Sequence, residues 1–480
     1  MATWRERIAA SERKWVLGLL FLALALRVGY VFTQQRGFYF EDSIDYDRAA
    51  KSFLETGHFD SRYYRLPLYP LFMAASYKVF GESLTPFRLL QALIGTGTCL
   101  AAWAIARSLF GVATGFLALA AAALFPVQIV LSGIEYPVVP GTALIWLVLW
   151  AIVERSRAGS GSTLLLMGAG LGAALSSLLF EGGLVLSVFL VLVVLFQATP
   201  WKARMRDLAI LGVMASILLA PWAYMMTRAG DFRPLVLKAG IHLPSAPGVN
   251  PPLWEGSGEN LLESKLSGLA SNPEWTLQHF GREFAHFWNP YPDRLASASV
   301  DYRKEQHRKD SRMVLDNSLV GDLSRKLYAF VYGSLMVAAA AGAIAAHRMP
   351  GAGILVAWPV VLGVCYSPFF TQMRYRIPAD PAFLILGAYA VEMTMQKTLW
   401  HRIVSFFKAL WEGWKKIAEK IMIFWTFVLL MLLFVVVVGP IAILMKIFRK
   451  DPMEGRMAPG SFWAIRDRTR EGLEECLRQF

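Results

Sequence analysis

The sequence predicts an all-α protein that crosses a membrane about ten or eleven times. Of its 480 residues, 56% are hydrophobic and only 17% are charged. The mean hydropathy is +0.44, which is too apolar for a soluble globule of average composition. Several windows of roughly 20 residues are nearly uncharged, and a helix of that length crosses a hydrocarbon layer of about 30 Å. We therefore expect one long membrane domain.

The predicted spans begin and end where charged, polar, Gly or Pro residues interrupt an apolar run. They are, in chain order, residues 15–33, 86–110, 112–131, 138–153, 163–180, 183–197, 207–227, 326–347, 352–368, 378–396 and 421–445. The charged start before the first run resembles a signal peptide, but no small-residue cleavage site follows it. We expect an uncleaved first span.

Basic residues mark the cytoplasmic ends of the spans. They precede the first span and follow the fourth and sixth: Arg5, Arg7, Arg13, Lys14, Arg155, Arg157, Lys202, Arg204 and Arg206. The alternation of spans then assigns to the outer face the segments 34–85, 132–137, the turn around Glu181, 228–325 and 371–378. Within 228–325, the apolar positions Phe280, Phe284, Phe287 and Trp288 predict a helix on the membrane surface.

The chain divides into two predicted regions. Residues 1–396 form the membrane domain, including the outer loops 34–85 and 228–325, and residues 397–480 hold an interfacial helix over 401–420, a final apolar segment and a basic tail. Eleven full crossings would send the tail outside, whereas its basic residues favour the cytoplasm. We expect Pro440 to turn the last apolar run back, leaving Cys476 in the cytoplasm.

Composition excludes several other functions. The net charge of +13 follows the cytoplasmic loops and forms no basic stripe, so we expect no nucleic-acid partner. The three cysteines are scattered, and the outer histidines His58, His242, His279 and His286 show no metal-ligand spacing. We expect no cofactor and no protein-built metal site, with a weakly bound divalent cation near Asp42 left open.

The first outer loop contains an unusual cluster of carboxylates. The stretch YFEDSIDYDRAAKSFLETGHF, residues 39–59, contains Glu41, Asp42, Asp45 and Asp47, and RLPLYPLFMAASYKVFG and RLLQALIG follow it. Together with LLAPWAYMM near 218–226 and MRYRIP at 373–378, this order resembles the polytopic GT-C glycosyltransferases. The resemblance is to the bacterial family related to dolichyl-phosphate-mannose protein mannosyltransferases and aminoarabinose transferases, and it implies a GT-C-like helical bundle.

The resemblance implies that Asp42 is the catalytic carboxylate. A hydroxyl or amide that attacks a sugar must lose a proton, and a carboxylate within hydrogen-bonding distance can accept it. Partial burial would raise the pKa of Asp42 and strengthen it as a base. The alternative interpretation is that residues 41–47 are ordinary acids at a helix start. Glu135, in the turn LSGIEYP, is expected to act as a second acid that orients the acceptor or the sugar, and Glu181 is a possible accessory residue; for both, the alternative is a solvated turn residue.

Arginines near the outer ends of spans are candidate ligands of the donor's lipid phosphate. Arg374 and Arg376 in MRYRIP, and Arg65 in YRLPLYP, could contact phosphate oxygens in a bidentate way, or could simply anchor span ends. Arg27 lies within the first span, where a lone charge is costly, so it is expected to pair with a loop carboxylate.

The function implied by the resemblance is glycosyl transfer. The donor would be a polyprenyl-phosphate-linked monosaccharide, and the acceptor a glycan, lipid or protein at the periplasmic face of a bacterial inner membrane, with membrane lipids as further partners and inversion at the sugar carbon. The competing functions are a transporter or flippase for lipid-linked sugars and a membrane scaffold. A transporter would favour ionisable residues near span centres, whereas the acids here cluster at one face.

Overall fold

The computed structural model of the protein describes residues 10–34, 38, 41–59, 65–157, 162–228, 243–246, 258–291, 319–369 and 371–447. Helices make up the regular structure of these residues, and no strand occurs among them. The predicted all-α class is confirmed. The chain separates into two compact units, Met1–Phe406 and Phe407–Phe480.

The helices are numbered here in chain order. In the first half of the chain they are α1 Glu12–Thr33, α2 Glu41–Thr56, α3 Leu68–Phe80, α4 Leu84–Phe110, α5 Val112–Leu124, α6 Pro126–Leu131, α7 Val138–Arg157, α8 Thr163–Leu179, α9 Gly182–Phe196 and α10 Trp201–Arg228. In the second half they are α11 Gly258–Ser271, α12 Pro273–Trp288, α13 Leu319–Ala345, α14 Ala352–Tyr366, a 3-10 helix Met373–Ala379, α15 Asp380–Met395, α16 Leu399–Leu433, a π-helical turn Phe434–Val438 and α17 Gly439–Ile447.

Many of these helices are apolar enough to lie in a membrane. Five helices in the described part of the chain have the length and hydropathy of a full span: Glu12–Thr33, Leu84–Phe110, Val138–Arg157, Trp201–Tyr224 and Arg325–Ala345. Four shorter apolar helices, α5, α8, α9 and α14, accompany them. The chain is a multi-pass membrane protein.

The predicted span 112–131 is broken into two helices. Helix α5 ends at Leu124, Phe125 is extended, and α6 begins at Pro126. Proline has no backbone N–H, so it cannot donate to the carbonyl four residues earlier, which is that of Ala122. The break leaves carbonyl oxygens at the end of α5 in need of donors.

Arg27 supplies these donors. Its side chain is fully buried, and its guanidinium donates to the carbonyl oxygens of Ala122 at 3.3 Å, Ala123 at 3.4 Å and Ala23 at 3.0 Å. A positive charge at a helix C-terminus is also favoured by the helix dipole. Arg27 therefore does not make the predicted pair with a loop carboxylate among the described residues. Its guanidinium instead binds the carbonyl oxygens at the end of α5, where the helix is broken.

The 3-10 helix Met373–Ala379 is anchored from two sides. The indole N–H groups of Trp146 on α7 and Trp358 on α14 both donate to the carbonyl oxygen of Pro378, each at 2.9 Å. Upstream, the backbone N–H and hydroxyl of Thr371 donate to a carboxylate oxygen of Glu283 on α12, at 2.8 and 2.7 Å. Because the donors and the acceptor are buried, these bonds determine the position of the segment that carries Arg374.

Helix α12 packs on the protein through part of its surface. His279, Glu283 and Phe287 are buried, and the helix contacts α14 and the 3-10 helix. The predicted aromatic stripe is present, since the rings of Phe280 and Phe284 stack with centroids 6.3 Å apart.

The C-terminal helices differ from the prediction. Residues 401–420 do not form a separate interfacial helix, because α16 runs without a break from Leu399 to Leu433. Pro440 does not reverse the chain: the backbone stays helical, with a π-helical turn over Phe434–Val438 just before it. Such a turn accommodates the missing N–H and the bulk of the proline ring. The predicted cytoplasmic position of the tail and of Cys476 lies outside the described residues.

Replacing the fully buried Arg27 should lower the stability of the protein. In Arg27→Leu, the carbonyls of Ala122 and Ala123 lose a charged donor, and hydrogen bonds from charged groups contribute about 1.5–3 kcal/mol each. We expect a lower free energy of unfolding, measured by denaturation in mixed detergent micelles. Phe21→Leu, at an exposed position of the same helix, is the matched control and should change little. Equal stability of the two variants would contradict this role of Arg27.

Candidate active site

Helix α2 brings the acidic cluster to the site. Its buried residues Ser43, Tyr46, Ala49 and Ala50 recur at helical spacing, so one face of α2 packs inward. The Ser43 hydroxyl donates to the carbonyl oxygen of Glu135 at 2.7 Å and fastens the first turn of α2 to the turn 132–137. This contact fixes where the neighbouring Asp42 lies.

Asp42 lies at the centre of a cluster drawn from three other parts of the chain. Its Oδ1 accepts a hydrogen bond from Arg65 Nη2 at 2.7 Å. Its Oδ2 accepts from Arg374 Nη1 at 2.8 Å and from the Tyr136 hydroxyl at 2.7 Å. The carboxylate remains 21% exposed, whereas Arg65 and Arg374 are 7% and 16% exposed. The structure thus brings together Asp42, Arg65 and Arg374, all of which were predicted site residues.

The prediction that the pKa of Asp42 is raised is wrong. Burial by itself would raise the pKa of this carboxyl, but the charges of Arg374 and Arg65, with the hydrogen bond from Tyr136, hold that pKa well below its usual range. The prediction considered burial and omitted the two guanidinium groups. In this arrangement Asp42 is a firmly ionised carboxylate.

Arg65 joins two carboxylates. The same Nη2 that contacts Asp42 also donates to Oδ2 of Asp45 at 2.9 Å. Its guanidinium lies over the ring of Tyr46, 5.3 Å from the centroid, a favourable cation–π distance. Arg65 is therefore held by α2 through three side chains.

Arg374 is held differently, between aromatic rings. Its guanidinium carbon lies 4.9 Å from the ring centroid of Tyr136 and 5.4 Å from that of Tyr375. The Tyr375 ring in turn stacks on Tyr366, with centroids 4.6 Å apart and an angle of 5° between the planes. The Nε of Arg374 is buried and has no hydrogen-bond partner among the described residues. Arg374 can thus donate to a further acceptor.

Arg376 occupies a different environment from Arg374. It is only 2% exposed, and it donates to the backbone carbonyls of Phe287 at 3.2 Å and Asn289 at 2.6 Å. Its guanidinium also lies 4.0 Å from the ring centroid of Tyr332. This arginine joins the end of α12 to the 3-10 helix, and its position does not support the predicted contact with a lipid phosphate.

Glu135 is sealed beneath the site. It is fully buried and forms an ion pair with Arg88 on α4, which is 2% exposed. Burial raises the pKa of Glu135, while the charge and hydrogen bond of Arg88 oppose this rise. Gln91 of α4 donates to the carbonyl oxygen of Ile134 at 2.8 Å and fixes the same turn. In this position Glu135 helps to fix the turn that presents Tyr136. Its side chain is fully buried, and its role in orienting the acceptor or the sugar stays a prediction.

Other predicted residues lie around this cluster or apart from it. Asp47 accepts a hydrogen bond from the Tyr77 hydroxyl at 2.7 Å and pairs with Lys51 at 3.1 Å. Glu181 is partly buried and directly precedes α9, and its accessory role stays a prediction. In the part of the chain that the structure describes, no group of three or more His, Cys, Asp or Glu side chains could hold a metal ion.

Tyr136, Tyr375 and Arg88 were missed in the sequence. Tyr136 directly follows Glu135, and a hydrogen-bonding aromatic residue in a short outer turn was the available signal. Arg88 lies near the start of α4, where its charge resembles an ordinary span anchor. Only the fold reveals that it points inward to Glu135.

Comparison with known proteins supports the same interpretation of the fold. Residues 65–225 match the family model described as dolichyl-phosphate-mannose-protein mannosyltransferase. ArnT from Cupriavidus metallidurans in the apo state superposes with a TM-score of 0.50 at 17% identity, over 82% of this chain and 63% of that one. The chain has a GT-C-type fold. The predicted resemblance to GT-C glycosyltransferases is confirmed.

Two further structures are similar to this chain. The oligosaccharyltransferase of Archaeoglobus fulgidus in the apo form has a TM-score of 0.50 at 14% identity, over 82% of this chain and 52% of that one. ArnT bound to undecaprenyl phosphate has a TM-score of 0.49 at 18% identity, over 82% and 62%. The chain thus spans about three fifths of the length of ArnT. No match was found among the curated proteins.

The low pKa of Asp42 predicts how stability depends on pH. A carboxyl whose pKa is lower in the folded state stabilises the fold above its unfolded-state pKa of about 3.9, and this stabilisation is lost as the pH falls through the folded-state value. The difference in unfolding free energy between wild type and Asp42→Asn should therefore be constant from about pH 8 to 5 and shrink below about pH 4. Chemical denaturation in micelles across this range measures it. A difference that grows on acidification would contradict the assignment.

The Arg88–Glu135 pair should show strong coupling. Arg88→Met or Glu135→Gln alone leaves a buried group without its partner, and breaking a buried pair costs about 3–5 kcal/mol. The double variant removes both, so it should be less destabilised than the sum of the singles, and less than either. A double-mutant cycle of unfolding free energies measures the coupling. Additive costs would show that the two residues do not stabilise the fold as a pair.

Proposed function

We propose that this protein transfers a sugar from a polyprenyl-phosphate-linked monosaccharide to a glycan, lipid or protein acceptor. The observation that carries the proposal is the Asp42 carboxylate held between Arg65 and Arg374, at 2.7 and 2.8 Å. One acid and two permanent positive charges are the groups that a sugar-phosphate displacement requires. The family matched by residues 65–225 uses, by its description, a dolichyl-phosphate-linked mannose donor.

Each group has one role in the proposed reaction. The acceptor's hydroxyl oxygen, or amide nitrogen, attacks the sugar's anomeric carbon, and Asp42 takes the proton from the attacking atom. The bond between that carbon and the phosphate oxygen breaks, and its electron pair leaves on the lipid phosphate. Arg374 stabilises the negative charge that develops there, since its buried Nε has no acceptor in the described structure. A single in-line displacement of this kind inverts the configuration of the sugar carbon.

The position of the site supports transfer at the outer face of a bacterial inner membrane. Asp42, Tyr136 and Arg374 all lie in segments that the charge asymmetry of the sequence assigns to that side. These three residues also belong to the region 1–396, which we propose as the catalytic domain. Arg27, a charge buried within the first span, binds backbone carbonyls, which does not favour the alternative of a transport path.

An assay that needs no knowledge of the acceptor tests this function. Purified protein in liposomes is given a panel of polyprenyl-phosphate monosaccharides and a cell-envelope extract, and released polyprenyl phosphate is measured by mass spectrometry. Wild type should release lipid phosphate from at least one donor. Asp42→Asn should slow release by about 10²- to 10⁴-fold, the usual cost of losing a general base.

Asp47→Asn is the matched control, because it changes the same residue type on the same helix and retains an oxygen for Tyr77. Its rate should stay within about threefold of wild type, since general-base effects are much larger. No release by wild type from any donor would reject the function. Release by Asp42→Asn within threefold of wild type would reject Asp42 as the base.

A further inference from the structure

Asp42 has no oxygen free of protein donors in this structure. Oδ1 accepts from Arg65, and Oδ2 accepts from both Arg374 and Tyr136, all within 2.8 Å. A carboxylate bonded in this way is stabilised as an anion and is a weak proton acceptor. Asp42 therefore becomes a stronger base when one of these donors leaves it.

The two arginines differ in how readily they can leave. Arg65 is also held by a second carboxylate, that of Asp45 at 2.9 Å, which lies on the same helix as Asp42. Arg374 comes from a distant segment, and among the described ion pairs it pairs with Asp42 alone. An anion bound at Arg374 therefore replaces the one carboxylate contact that the described structure gives this arginine.

We propose that Asp42 and the phosphate of the lipid donor compete for Arg374, so that donor binding releases Asp42 Oδ2 for the acceptor. The inference rests on the proposed function and adds an order of events to it. Before the donor binds, Arg374 donates a hydrogen bond to the Asp42 carboxylate. The donor's phosphate takes over the guanidinium, and Oδ2, still oriented by Tyr136, is left to accept the proton. Donor binding therefore precedes fast reaction of the acceptor, and an acceptor that arrives first meets a weakened base.

Two possible roles of Asp42, competing with the phosphate for Arg374 and orienting Arg374 for the phosphate, predict opposite changes in phosphate binding. If Asp42 and the phosphate compete, removing the carboxylate charge strengthens phosphate binding. If Asp42 only orients Arg374 for the phosphate, removing it weakens binding. The probe is farnesyl phosphate, a polyprenyl monophosphate without sugar, titrated against purified protein in micelles by calorimetry.

Asp42→Asn should bind farnesyl phosphate at least about fivefold more tightly than wild type, which is the lower range of coupling between sites. Asp45→Asn is the matched control, since it removes an equal charge from the same cluster but contacts Arg65 rather than Arg374. It should change affinity by less than about twofold if the effect passes through Arg374. Arg374→Ala should weaken binding, and Asp42→Asn/Arg374→Ala should bind like Arg374→Ala alone.

The outcomes are distinct. Equal or weaker binding by Asp42→Asn, or an equal gain in Asp45→Asn, overturns the competition while leaving the proposed transfer intact. No binding to wild type, together with no lipid-phosphate release, overturns the transfer as well. Thermal unfolding confirms that each variant is folded, and Asp42→Ser serves in place of Asp42→Asn if the latter does not fold. The same gain in binding is expected for it.

Discussion

The carboxylate of Asp42 joins four parts of the chain that are otherwise connected only through the bundle. It holds Arg65 from the segment after α2, Tyr136 from the turn 132–137 and Arg374 from the 3-10 helix. Two guanidinium groups in such a small, largely buried space would repel each other without an anion between them. The local fold around the site therefore requires a negative charge at this point, supplied by the protein or by a ligand.

Much of the fold could be predicted because membrane spans are a strong signal. The runs at 86–110 and 138–153 correspond closely to α4 and α7, since hydrophobicity over roughly 20 residues depends on composition and little on context. The helix break before Pro126 was not predicted from the sequence. The apolar run continues through it, and the carbonyls that it exposes are satisfied by Arg27, which lies far away in the sequence.

Asp42 was singled out through the family resemblance, and Arg374 because it lies just before an outer span start and carries a permanent positive charge. The sequence did not show that Arg376 and Glu135 point away from Asp42. In a 3-10 helix, residues two apart point in different directions, so Arg374 meets Asp42 while Arg376 meets Tyr332. Glu135 faces Arg88, and the next residue, Tyr136, faces Asp42. Span hydropathy carries no information on such directions.

The double hydrogen bond to the Pro378 carbonyl has a consequence for dynamics. Trp146 and Trp358 approach this oxygen from two helices, so a shift of the backbone at Pro378 relative to these helices breaks both bonds. On a segment anchored in this way, the Arg374 charge can still move by rotation about its own side-chain bonds. Rotamer changes are far faster than the microsecond-to-millisecond motions of lids and domains. Arg374 can therefore respond to a ligand by a change of rotamer, without a slow closure of the protein.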